Sequence, residues 1–138
     1  MDELLAFEQA AMAQAPPGAV LVGASISPDG NYGVALTFLP SANYLMDDVL
    51  VRRDERWALH MGGSGGGFHW SILGEEDRGV LRYEEEAPEG ASVARILYQG
   101  QEHRMPVRHG HFLFVAWNVL APSRDTPAEE RPYLIGFE

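Results

Sequence analysis

The chain has no cysteine among its 138 residues, which excludes a disulfide framework, thiolate metal sites and cysteine-dependent catalysis. It has no lysine either: all ten cations are arginines, placed singly or in pairs. Phosphate binding is driven by clusters of Lys and Arg, so a net charge of −10 argues against nucleic acid as a partner. Arginine without lysine reads as the coding bias of a GC-rich genome and carries no mechanism. No stretch approaches the ~18 consecutive apolar residues that a bilayer span needs, so no membrane association is expected. The first positive charge is Arg52, so the basic n-region of a secretory signal is missing and a cytoplasmic protein is expected.

What the sequence does have is an ordinary globular composition, 46% hydrophobic. Its length suits one domain, which buries about two-thirds of its unfolded surface on folding. One domain over residues 1–138 is therefore expected, with a helix over residues 1–15. Asp2 can cap that helix, Glu3 sits in its first turn, and Pro16-Pro17 stops it. Leu4, Leu5, Phe7, Ala11 and Met12 fall on one broad face, which is expected to pack on a sheet.

Everything after the helix reads as strand. Ala19–Ser27 and Tyr32–Phe38 alternate on either side of the Pro28-Asp29-Gly30-Asn31 turn. A loop is expected over Pro40–Asp47, then a hairpin of Val49–Arg53 and Arg56–Met61 across Asp54-Glu55. Phe68–Leu73 and Gly79–Glu85 are further strands. Ala91–Asn118 reads as a three-stranded meander, with turns at Gln99-Gly100 and His109-Gly110. Its last strand, apolar on both faces through Phe112, Phe114, Val115 and Trp117, is expected to be central. Residues 120–131 read as a polar loop and Pro132–Phe137 as a closing edge strand. Nine or ten strands at this spacing predict a mainly antiparallel β-sandwich, or a partly closed barrel, with the N-terminal helix packed on it.

No chemical motif is complete. Gly62–Gly67 lacks the lysine and following helix of a phosphate loop. It is expected to be a flexible hairpin loop, or else a flap over a pocket holding His69 and Trp70. His103, His109 and His111 lie close in sequence, and His103 and His111 are the metal-ligand candidates. No carboxylate follows them at the spacing of a cupin-like site, so no metal is expected. Asp47-Asp48, Glu75-Glu76-Asp77 and Glu84-Glu85-Glu86 match no calcium-loop pattern and read as solvated charge at strand ends. Ser64, in Gly-Ser-Gly, lacks the surroundings of a nucleophile elbow. Trp57 and Trp117 are expected in the core. Tyr44 and Trp70 are less easily buried and, with His69, are the candidate binding residues.

The segment Ala87-Pro88-Glu89-Gly90-Ala91, followed by strands and by Val107-Arg108-His109-Gly110-His111-Phe112, resembles the later strands of immunoglobulin-like β-sandwiches. The cysteine pair of antibody domains is absent. The whole chain resembles small proteins of GC-rich bacteria that combine an N-terminal helix, a Pro-Asp-Gly-Asn-Tyr turn and an Arg-Trp hairpin. That resemblance brings no activity and no functional residue with it.

The sequence therefore predicts a non-enzymatic binding or regulatory protein, without cofactor, whose acidity suits a basic protein partner. The alternative is a small-molecule or metal-dependent enzyme or ligand-binding protein with a pocket under Gly62–Gly67. A third reading is a homo-oligomer joined through Pro132–Phe137.

Overall fold

The computed structural model describes residues 2–73, 77–122 and 131–138. The expected class holds: the chain is mainly antiparallel β with one N-terminal helix, and among the described residues no sheet closes into a barrel. It divides into two compact units, Met1–Gly66 and Gly67–Glu138, with the boundary inside the glycine run.

The first unit comprises helix α1 (Glu3–Gln14) and strands β1 (Val20–Ile26), β2 (Tyr32–Leu39), β3 (Tyr44–Arg53) and β4 (Arg56–Ser64). The strands form an antiparallel meander in sequence order. The Asp2 side chain caps α1 by accepting from the Leu4 N–H at 3.0 Å. At helical spacing Leu4, Phe7 and Ala11 turn to the sheet and pack with Ala35, Leu50 and Trp57. The Phe7 and Trp57 rings meet edge to face at 4.7 Å, and the Gln14 amide donates to the Trp57 carbonyl at 2.9 Å. Leu5, expected on this face, points off it and is 47% exposed. The turn between β1 and β2 is held by side chains: Ser27 Oγ donates to Asp29 Oδ1 at 2.6 Å and accepts from the Tyr32 N–H at 3.0 Å.

Strand irregularities explain where alternation misleads. The β1–β2 register shifts between Leu21 and Gly23. The extra residue, Val22, is buried, while Leu21, Ala24 and Ile26 pack on the helix side. A second shift lies between β3 and β4, where Val49 pairs with Met61 but Leu50 pairs with Leu59. His60 is the extra residue there, which splits the expected Trp57–Leu59–Met61 face and leaves Leu59 58% exposed.

Two loops expected here are not loops. The Pro40–Asp47 connection shrinks to a short 3-10 turn over Pro40–Ala42 and Asn43 in the left-handed region, and β3 begins at Tyr44. Within the glycine run, Gly62, Gly63 and Ser64 belong to β4 and pair with Asp48, Asp47 and Met46. Gly67 opens the next strand and pairs with Glu84. Only Gly65 and Gly66 link the two strands, so no six-residue flap exists. Gly62 suits its strand for a steric reason: a side chain there would occupy the position of the Asp48 carboxylate.

The second unit is a sandwich of two three-stranded antiparallel sheets. One contains β5 (Gly67–Ile72), β6 (Arg78–Glu86) and β9 (His111–Leu120), with β6 in the middle. The other contains β7 (Val93–Tyr98), β8 (Gln101–Pro106) and β10 (Tyr133–Phe137), with β7 in the middle. Leu81, Phe112 and Phe114 of the first sheet pack against Ala94, Ile96 and Tyr98 of the second. Edge-to-face pairs, Tyr98 with Phe114 at 5.3 Å and Phe112 with Phe137 at 6.0 Å, join the sheets. Such pairs contribute about 0.5–1.5 kcal/mol each beyond the area they bury.

The expected meander is broken at its second turn. Gln99-Gly100 makes the β7–β8 hairpin, but past His109-Gly110 the chain leaves that sheet and β9 pairs with β6. A single bridge, Arg108 to His111, remains at the corner. Among the described residues β9 is an edge strand, not the central one. Phe112, Phe114 and Ala116 face the sandwich core, and Leu113 and Val115 lie on the opposite face with Glu84 and Arg82. Strand β10 is an edge strand as expected. The expected polar loop falls mostly on residues 123–130, outside the described residues.

Candidate functional site

Strand β9 carries the feature that shapes the second unit's cavity. Ala116 pairs with Leu81 and Val119 with Gly79, so Trp117 and Asn118 together face Val80. Asn118 takes a left-handed backbone (φ 58°), which asparagine adopts more readily than most residues. Its carbonyl turns outward and accepts from Arg78 Nη1 at 2.9 Å. Beside this bulge lies a cavity of about 460 Å³. Its walls are Leu81, Ala116, Val119 and the Tyr98 ring, Phe68 stands beside them, and Arg78 and Gln99 bring polar groups. A smaller recess of about 390 Å³ shares Phe68 and continues to Tyr83, Tyr133 and Leu134. Asn118 and Arg131 add to its polar groups, so apolar wall and polar rim are mixed. A cleft of about 300–1,000 Å³ with convergent polar groups is a usual form of a small-molecule site.

Of the binding residues expected from the sequence, Tyr44 belongs to the first unit and His69 and Trp70 to the second. Tyr44 opens β3 in the first unit, 41% exposed, and its hydroxyl is 3.1 Å from Ser64 Oγ. His69 and Trp70 follow one another on β5 and so point to opposite faces of the sheet. Trp70 packs on the aromatic core, and its indole N–H donates to the Val119 carbonyl at 3.0 Å. It is a brace beneath the cavity wall. Trp117, expected in the core, lies at the cavity and is half-buried.

The histidine candidates also separate. His103 of β8 lies edge-on to the Phe114 ring at 5.2 Å. His111 is buried, with Nδ1 2.9 Å from the carbonyl of His109. His109 stands in the turn itself at φ 53°. Neither His103 nor His111 lines the cavity.

On the face of β6 away from the aromatic core, Arg82 is buried and Glu84 is fully buried. Arg82 donates to Ser71 Oγ at 2.9 Å and to the Val80 carbonyl at 3.0 Å. Glu84 Oε1 lies 3.6 Å from His69 Nε2 across the β5–β6 pair. The reading of the acidic runs as solvated charge at strand ends fails for Glu84, which is fully buried, and for Asp47, which is buried within β3.

Arg78 and Asn118 are thus the residues that sequence reasoning passed over, and Glu84 is the one it read as solvated. One signal for the bulge was legible: Asn118 interrupts the apolar run Val115-Ala116-Trp117-Asn118-Val119-Leu120. Among the described residues no helix is long and apolar enough to cross a membrane. Comparison with protein-family models, curated proteins and solved structures found no match.

Proposed function

We propose that the protein acts by binding, and that the second unit's cavity takes a small molecule with an apolar body and an anionic end. The observation that carries this reading is the cavity beside the β9 bulge, where Leu81, Ala116 and Val119 offer apolar wall and Arg78 is pinned beside it by the Asn118 carbonyl. A guanidinium held in place loses less freedom on meeting a carboxylate, sulfonate or phosphate than a free one does. The test uses two fluorescent probes of similar body: anionic 8-anilinonaphthalene-1-sulfonate and neutral N-phenyl-1-naphthylamine. Saturable one-to-one binding with preference for the anion is expected. Arg78→Gln should weaken the anion about tenfold, the scale of one lost charge-assisted hydrogen bond, and leave the neutral probe unchanged. Failure of both probes to saturate would overturn the reading.

A second reading, a basic protein partner, draws support from how the arginines are used. In the first unit Arg52 lies 3.8 Å from Glu3. In the second, Arg95 pairs with Glu102 at 2.6 Å and Arg104 pairs with Glu138. These pairs are neutral, so the net charge of −10 resides outside them. Complex formation with a basic protein would then weaken steeply with salt.

A further inference from the structure

Glu84 and His69 are held on neighbouring strands whose register is fixed on both sides of them, Gly67 opposite Glu84 and His69 opposite Arg82. Directly opposed residues share a sheet face, and residues two apart along a strand share it too, so both side chains rise from the same face. Their closest atoms, His69 Nε2 and Glu84 Oε1, are 3.6 Å apart. That exceeds the N–H···O range of about 2.7–3.2 Å. Two donors bound to one tetrahedral ion at about 2.0–2.1 Å lie about 3.4 Å from each other, which is close to the observed spacing. The Glu84 side chain is 0% exposed and that of His69 31% exposed, so the carboxylate is locked in place while the imidazole keeps an open side.

We propose that His69 and Glu84 are two ligands of a divalent transition-metal ion. One imidazole nitrogen with one carboxylate oxygen is a donor set suited to Zn²⁺, Mn²⁺ or Fe²⁺ and poorly suited to Mg²⁺ or Ca²⁺, which take oxygen throughout. A bound ion would offset the cost of burying the Glu84 charge, and water or other oxygen donors would complete the shell. The competing account is local: Arg82, two residues away on the same strand and face, neutralises Glu84 without any metal.

Calorimetric titration of the chelator-treated full chain with Zn²⁺, and separately with Mg²⁺, decides between them. One Zn²⁺ per chain is expected, together with a rise in Tm on adding Zn²⁺. His69→Ala and Glu84→Gln should each weaken Zn²⁺ at least tenfold and abolish the Tm rise. His69 is partly exposed, so His69→Ala keeps the test valid should Glu84→Gln fail to fold. Three results would overturn the proposal: no Zn²⁺ binding, Zn²⁺ binding unchanged in His69→Ala, or equal affinity for Mg²⁺. The first assigns Glu84 to Arg82, the second places the ion on other groups, and the third describes a site built of carboxylates alone.

Discussion

The Phe7 ring stands where a side chain at position 33 would be: a Cβ built on Gly33 overlaps three of its ring carbons. Helix and sheet are fitted to each other at this point. Phe7 is fully buried and the surrounding Ala35, Leu50 and Trp57 leave its ring little room to move. Gly33→Ala should therefore destabilise by about 1–3 kcal/mol through overpacking. Phe7→Ala should cost about 3–5 kcal/mol through the cavity it leaves. Urea unfolding followed by far-UV circular dichroism measures both.

Asp48 predicts a pH dependence. Burial against β4, and then the Asp47 charge beside it, push its carboxyl above the ordinary aspartate value of 3.8. The folded state then holds this proton more tightly than the unfolded chain does. Asp48 therefore costs no stability below pH 3.8, and costs progressively more as pH rises through its elevated value. Asp48→Asn keeps the shape and removes the charge. It should be more stable than the parent at neutral pH, with the advantage vanishing in acid. Thermal melts of both proteins from pH 3 to pH 7 check the sign, and an advantage that grew in acid would refute it.

Trp70 separates a structural role from a binding one. Trp70→Phe retains most of the ring and deletes the donor to the Val119 carbonyl. Loss of that bond should cost about 0.5–1.5 kcal/mol. Affinity for the naphthalene probes should change less than twofold, because Phe68 and Leu81 form the wall and Trp70 lies behind it. A variant with full stability and weakened probe binding would return Trp70 to the binding site.

The class of fold was legible because it rests on local chemistry. Turn residues such as Pro28-Asp29-Gly30-Asn31 and Gln99-Gly100, and β-favouring bulk between them, mark strands whatever they pair with. Pairing itself was not legible. The Arg108–His111 corner has the turn chemistry of any hairpin, and nothing in those residues says that the next strand changes sheet. Bulges at Val22, His60 and Trp117-Asn118 then moved individual side chains across faces that strict alternation had assigned. The candidate sites suffered most, since each depends on which residues meet across a sheet. Glu84 illustrates this: in sequence it is one of three glutamates, yet it is fully buried while Glu86, two residues on and on the same face, is exposed at the strand end.

Strand pairing in the second unit also has a consequence for synthesis on the ribosome. In the first unit every strand pairs with the one made just before it, so each hairpin can close as it emerges. Strands β6 and β7, by contrast, are the middle strands of their sheets, and each waits for a neighbour made much later, β9 and β10 respectively. While translation continues, two strands stand with one edge open and rely on the nascent chain's surroundings to keep them from pairing elsewhere. The run of carboxylates at Glu84-Glu85-Glu86 sits on one of those waiting edges, where like charge repels a second copy of the same strand.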